Sequence, residues 1–277
     1  MHNPMRKISL ALLSSSLLVS SLALAHIGVA NNTFPISAAG QSAFTIANTS
    51  SEIVFLIGHG CNGESEPTPP TNMDTTKIEI TVPAAIVTAT GAASVRPSYQ
   101  GAFGNVHRQT QADGSIKFTW TKLSAASAED DQFYKVSIRF KTPAPITSSD
   151  VAIKKYQFLA TQTCAIPGQA EYVLEWGTTN SPTLLSFPDK RKGFNKYTLD
   201  TSTLSDFSVS GSGTKSSRLK AYFGDSAIVW IGKRAYSPNA QTATKIEALI
   251  KQDFTYSNLG TETGVSLGAD EIIWVKY

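Results

Sequence analysis

From Ile27 onward the chain is written in short runs of alternating or β-branched residues, each closed by a cluster of Asn, Gly, Pro or Ser. Ala43–Ala47, Glu52–Ile57, Lys77–Val82, Ser115–Trp120, Tyr134–Lys141, Tyr156–Thr161 and Glu171–Trp176 are such runs. Successive side chains of a strand point to opposite faces, so runs of this length with turn signals between them predict an antiparallel β-sandwich. Ala112-Asp113-Gly114 and Pro143–Asp150 read as turns, and Glu64–Asn72, with three prolines, reads as a loop. The composition changes after Trp176, through turn-rich Gly177–Pro182 and the charged turn Asp189-Lys190-Arg191-Lys192-Gly193. The expected fold is therefore mainly β: an antiparallel sandwich over 26–180, then a small α+β or β-rich domain over 190–277. That second segment opens at Gly193-Phe194-Asn195, carries a strand at Ala227–Ile231 and closes on Ile273-Trp274-Val275-Lys276. Its one helical pattern is Thr242–Gln252, with Ile246, Leu249 and Ile250 on one face.

Composition sharpens this reading by exclusion. Of 277 residues 41% are hydrophobic and 16% charged, which is enough apolar material for a core and excludes global disorder. Residues 1–25 have the layout of a secretory signal: a basic start at Arg6 and Lys7, an apolar stretch from Ile8 to Leu22, and small residues at Ala23 and Ala25. Taking Arg6 and Lys7 from the 24 basic residues leaves 22 against 21 acidic, a net charge of +1. With no basic stripe, nothing points to a nucleic-acid partner. No later stretch is apolar enough for a membrane span after signal cleavage, so the expected location is periplasmic or secreted. Two cysteines, Cys61 and Cys164, remain in the mature chain. An oxidising compartment and the lack of a CxxC spacing favour a disulfide between them over a thiolate metal site.

Cleavage after Ala25 makes His26 the first residue. Its free α-amine and imidazole can chelate one metal ion together, and such nitrogen donors suit Cu(II). Gly58-His59-Gly60-Cys61-Asn62-Gly63 is a second feature. His59 is an alternative ligand there, although a tight turn that anchors Cys61 explains the glycines as simply. The third is Gln162-Thr163-Cys164, followed by Glu175-Trp176. If Glu171–Trp176 is one strand, Glu175 and Trp176 face opposite ways unless a bulge intervenes.

In this order, His26, the GHGCNG string at 58–63, the strand Ile78–Val82 with Pro83, Trp120, Gln162-Thr163-Cys164 and Trp176 resemble the YcnI-like domain, an exported copper-binding family. The resemblance covers about residues 26–177. It implies a β-sandwich that binds one Cu(II) at its surface, and a disulfide between Cys61 and Cys164. The ligands it implies are His26, a carboxylate and a nearby Trp. Trp176 matches the last, and Glu175 is the nearest carboxylate, with Glu171 and Glu52 as alternatives. The chain departs from the pattern at Pro97–Phe103 and at Glu64–Asn72. The C-terminal segment resembles a small extracellular module that opens with GWN and closes with a YWVK-type strand.

The expected function is copper handling outside the cytoplasm, as a chaperone or buffer whose partners are the ion and other copper-trafficking proteins. An adhesive or interaction protein is the alternative, its Thr-, Asn- and Ser-rich loops serving contact. Catalysis is not expected: there is no GxSxG elbow, and a copper oxygenase would need a further histidine, His59 or His107, beside the first.

Overall fold

The computed structural model describes residues 27–30, 42–58, 60–61, 73–123, 133–147, 151–165, 170–176, 181–189, 191–199, 223, 227–253, 255–259 and 271–277. The expected leader, His26, His59, the proline-rich stretch 64–72 and residues 210–213 lie outside these.

Three antiparallel or mixed sheets make up the fold, which is mainly β as the alternation predicts. The first holds β1 (Ile27–Ala30), β3 (Ser50–Ile57), β8 (Tyr134–Lys141) and β5 (Arg96–Pro97), in the order β1-β3-β8-β5. The second holds β4 (Asp74–Val82), β6 (His107–Thr110), β7 (Ile116–Thr121), β10 (Leu159–Ala165) and β11 (Tyr172–Trp176), in the order β11-β10-β4-β7-β6. Their facing sides form one core. Ile53, Phe55 and Ile57 of β3 and Val136, Ile138 and Phe140 of β8 meet Ile78, Ile80 and Val82 of β4 and Ile116, Phe118 and Trp120 of β7. Every one of these sits at an alternate position of its strand, the period-2 rule at work.

The third sheet contains β2 (Ser42–Ile46), β9 (Ala152–Gln157), β12 (Thr183–Phe187), β13 (Phe194–Leu199), β14 (Ile228–Ile231), β15 (Arg234–Tyr236), β16 (Ser257–Asn258) and β17 (Ile273–Lys276). Its order is β16-β15-β14-β17-β13-β9-β12-β2. It ties the two expected segments together through backbone pairing of Thr198 with Ala152 and Leu199 with Ile153. The composition change around 180–190 coincides with β12, all five residues of which are buried. Leu184 joins the core of the sandwich, while Leu185 and Phe187, on the other face, join a second core with Tyr197, Val229, Ile231, Ile273 and Val275.

Two local readings change. The run Tyr156–Thr161 is not one strand. The chain leaves the third sheet after Gln157 and joins the second at Leu159, and Phe158 is buried at the crossing with its N–H bonded to the Pro182 carbonyl. A helix α1 (Ala84–Thr90) follows Pro83, where the sequence reading placed none. Its cue is the proline before and Gly91 after, the latter at φ +78°. The predicted helix is present as α2 (Ala240–Gln252) and starts two residues earlier than the periodicity suggests. Asn239 caps it by accepting from the Thr242 N–H at 3.1 Å. Ile246 is its buried residue, Ile250 is half-buried, and Leu249, expected on the same face, is exposed.

Candidate functional site

The end of the sandwich where β3 stops and β4 begins carries both cysteines and Glu171. Cys61 and Cys164 are joined there by a disulfide, with an Sγ–Sγ distance of 2.05 Å and Cα atoms 5.8 Å apart. Both are fully buried and pack with Met73, Tyr172 and Leu174. Cys61 follows the end of β3 closely in sequence, and the disulfide fastens it to β10 of the second sheet. The Cys61 N–H donates to the Cys164 sulfur at 3.1 Å and to no less a neighbour than the Met73 carbonyl at 3.1 Å.

The Gln-Thr-Cys string is part of this fastening. The pairing of β10 with β4 shifts register between Thr163 and Cys164. Such a bulge breaks the alternation, and Gln162, Thr163 and Cys164 are buried in succession. Gln162 Nε2 donates to the Thr75 hydroxyl at 2.8 Å, and the Thr76 hydroxyl donates to the Thr163 carbonyl at 3.2 Å. These side chains join β10 to β4 within the sandwich's second sheet, while the buried Thr163 hydroxyl is left without a hydrogen-bond partner among the described residues.

The expected ligands separate along the strands. Glu175 is exposed and Trp176 is 6% exposed, on opposite faces of β11, with Trp176 inside the sandwich core. No bulge intervenes between them, since β11 pairs with β10 in continuous register from Cys164–Tyr172 to Ala160–Trp176. Trp176 therefore serves the core, and the two do not form a shared ligand pair on one face. Tyr172 lies at the disulfide end of β11 and Trp176 four residues away, roughly 13 Å at strand rise. Glu52 is exposed near the start of β3, opposite Arg139, and five residues from Ile57 puts it roughly 16 Å from the disulfide end. Glu171 is exposed immediately before β11, at the disulfide end itself.

β1 begins at this same end. Ile27 pairs with Ile57, and β1 approaches β10 of the facing sheet. His26 and His59 fall outside the described residues, and His107 is the one histidine within them. It is exposed on β6, the edge of the second sheet remote from β10. Among the described residues no three His, Cys, Asp or Glu side chains gather closely enough to hold a metal ion. A copper site at the disulfide end would thus draw its nitrogen donors from outside the described residues; the described carboxylates at that end are Glu171, which is exposed, and Asp74, which is paired with Lys122 at 3.5 Å.

The electrostatics elsewhere on the sandwich are structural. Glu79 lies between Lys117 at 3.1 Å and Lys77 at 3.6 Å on the outer face of β4. Burial works to raise its pKa, but the Lys117 hydrogen bond and the two ammonium charges outweigh it and hold the carboxyl below its ordinary value. In the third sheet, Asn195 bridges the charged turn to the last strand. It accepts from the Arg191 N–H at 2.8 Å and donates to the Arg191 and Gly193 carbonyls at 2.8 and 3.1 Å. Gly193 sits at φ +100°, a region L-residues avoid. The Gly-Phe-Asn string is thus a turn clamp, a role its sequence alone did not reveal.

No family model matches the sequence, and no curated protein does. Solved structures align with the chain in three dimensions. An uncharacterised protein from Nocardia farcinica with an immunoglobulin-like fold covers 58% of this chain and 98% of its own length, at 17% identity and a TM-score of 0.35. The third cohesin of ScaC from Acetivibrio cellulolyticus, solved with the ScaB dockerin, covers 58% and 98%, at 10% identity and a TM-score of 0.33. The seventh ScaB type I cohesin from Pseudobacteroides cellulosolvens covers 60% and 93%, at 8% identity and a TM-score of 0.32. At these identities and scores the likeness concerns β architecture and carries no argument about function.

Proposed function

We propose that the protein works outside the cytoplasm as a non-catalytic copper-binding protein. One Cu(II) is held by the amine and imidazole of a mature N-terminal His26, and Glu171 supplies the carboxylate. The reading rests on the resemblance of residues 26–177 to the YcnI-like family. The structural observation that supports it is the start of β1. Because Ile27 is paired with Ile57, a terminus at His26 would be tethered to the disulfide end of the sandwich, where Glu171 stands exposed. Tethering removes conformational freedom from the chelate before the metal arrives, which favours binding. The Cys61–Cys164 disulfide fits an oxidising compartment. Ligation alone is the mechanism: the amine, with an ordinary pKa of about 7.7–8.0, releases its proton to solvent as the metal binds, so affinity falls as pH drops through and below that range.

The test is a Cu(II) titration of the mature protein, followed by EPR, beside a form with one alanine ahead of His26. One tight equivalent with nitrogen hyperfine structure is expected, lost in the extended form and weakened in Glu171→Gln but not in Glu175→Gln. A mature chain that does not begin at His26, or equal weak binding by both forms, would overturn the reading.

A further inference from the structure

We propose that the outer face of the third sheet is a docking track for an acidic polysaccharide. The face is defined by register. Trp230 of β14 lies directly opposite Trp274 of β17, Trp274 opposite Lys196 of β13, and Lys276 opposite Phe194. The residues between them, Val229, Ile273, Val275 and Tyr197, point the other way into the second core. Alternation therefore gathers three aromatic rings and two lysines on one side of three adjacent strands. On the same side of the sheet, Leu184 of β12 packs against the sandwich core, so the track is the part of the sheet that extends past the sandwich.

This side is open. Phe194 is 62% exposed and Trp274 44%, with Ile272 also exposed beside them, while Trp230 is half-buried at the end of the row. Large apolar side chains grouped in this way are a signature of a binding surface rather than of a scattered, indifferent exterior. Trp230 and Trp274 lie side by side on β14 and β17, and Phe194 on β13 is offset by two residues along the strands. Two strand spacings across and two residues along put the ends of the row roughly 12 Å apart, about the length of a disaccharide.

Charge selects the occupant. The lysines stand among the rings, Lys276 Nζ lying 5.4 Å from the Phe194 ring centre, and none of the described strand positions on this face of β13, β17 and β14 is acidic. Aromatic faces stack on the C–H faces of pyranose rings, and ammonium groups pair with uronate carboxylates. A polymer that offers both in alternation, ring after ring, matches the track in both respects. A single-stranded nucleic acid also offers rings and charge, but the disulfide argues for a compartment in which extracellular glycans are the abundant polyanions.

The experiment uses the full mature protein in the presence of a chelator, so that the outcome is independent of copper. Mobility is measured in gels cast with polygalacturonate or neutral dextran, with oligothymidylate and anionic phosphatidylglycerol vesicles as competitors. Retardation by polygalacturonate and not by dextran is expected, weakening as salt rises. Trp274→Ala and the pair Lys196→Glu/Lys276→Glu should each weaken binding by about tenfold, and Trp274→Phe should retain most of it. Each variant's near-ultraviolet circular dichroism reports whether it is folded. No retardation, retardation untouched by these substitutions in folded variants, or stronger binding of oligothymidylate or vesicles would overturn the proposal.

Discussion

The sandwich and the C-terminal part of the third sheet bury apolar residues by the same alternation, yet they are secured by different means. In the sandwich two sheets close on a shared core, and a covalent bond across 103 residues of sequence fastens one end. In the third sheet the inner faces of β13, β14 and β17 build the second core while their outer faces remain open, and Asn195 clamps the turn that leads into β13. The sandwich strands also leave their outer faces to solvent, but line them with charged side chains such as Glu79, Lys117 and Arg139. The outer faces of β13 and β17 instead expose Phe194 and Trp274, apolar rings that offer a surface for contact. The sandwich is fitted to be a rigid support, the extension to be a surface.

Removing the covalent fastening is the strongest way to break this contrast. Cys61→Ala/Cys164→Ala releases a loop of about a hundred residues and should cost about 4.7 kcal/mol in the chain-entropy picture, read by denaturant unfolding. If the sandwich depends on the bond as described, the loss appears in the transition midpoint with the secondary structure intact. A change of well under 1 kcal/mol would mean that the sheets close without it.

The next effect tests how separate the two regions are. Leu184→Ala removes a side chain from the sandwich core and Leu185→Ala removes its neighbour from the second core. Each should destabilise by about 2–5 kcal/mol. With β12 lodged in both cores, both variants should unfold in one transition, seen alike by fluorescence and circular dichroism. Two transitions, with Leu185→Ala shifting only one of them, would make the regions independent units.

The smallest effect is confined to alkaline solution. Tyr277 is pushed up to about 12 by burial, and burial also holds Tyr197 above the ordinary tyrosine value. Both are neutral in the folded protein while the unfolded chain ionises near pH 10. Their contribution is therefore complete below pH 10 and is lost as pH rises toward 12. Tyr277→Phe should flatten the fall in melting temperature over that window, and an unchanged slope would show that other groups govern it.

The strands that bury one face were legible from alternation alone, and Tyr134–Lys141 coincides with β8 at both ends. The sheet change at Phe158 was not, because residues on either side of it alternate in the same way and only long-range pairing decides which sheet each joins. β12 carries apolar or small residues on both faces, a pattern that looks like a turn-rich boundary until its partners β9 and β2 are in place. At the candidate site, alternation alone warns that Glu175 and Trp176 diverge. That Glu171 shares an end with Ile27, while Glu52 does not, depends on the registers of β1 with β3 and of β10 with β11, which span most of the sandwich sequence.

β12 also imposes an order of events. A chain made from its N-terminus presents β2 long before, and β9 shortly before, Thr183–Phe187, the strand that lies between them and runs parallel to β2. Until that segment emerges, Ala43 of β2 and the Leu184 position of the sandwich core lack their cover, and the sheet has a gap where its most buried strand belongs. Pairing over such sequence distances is slow. The nascent N-terminal part must therefore be kept from self-association during the interval, and truncations ending before residue 183 would meet the same hazard permanently.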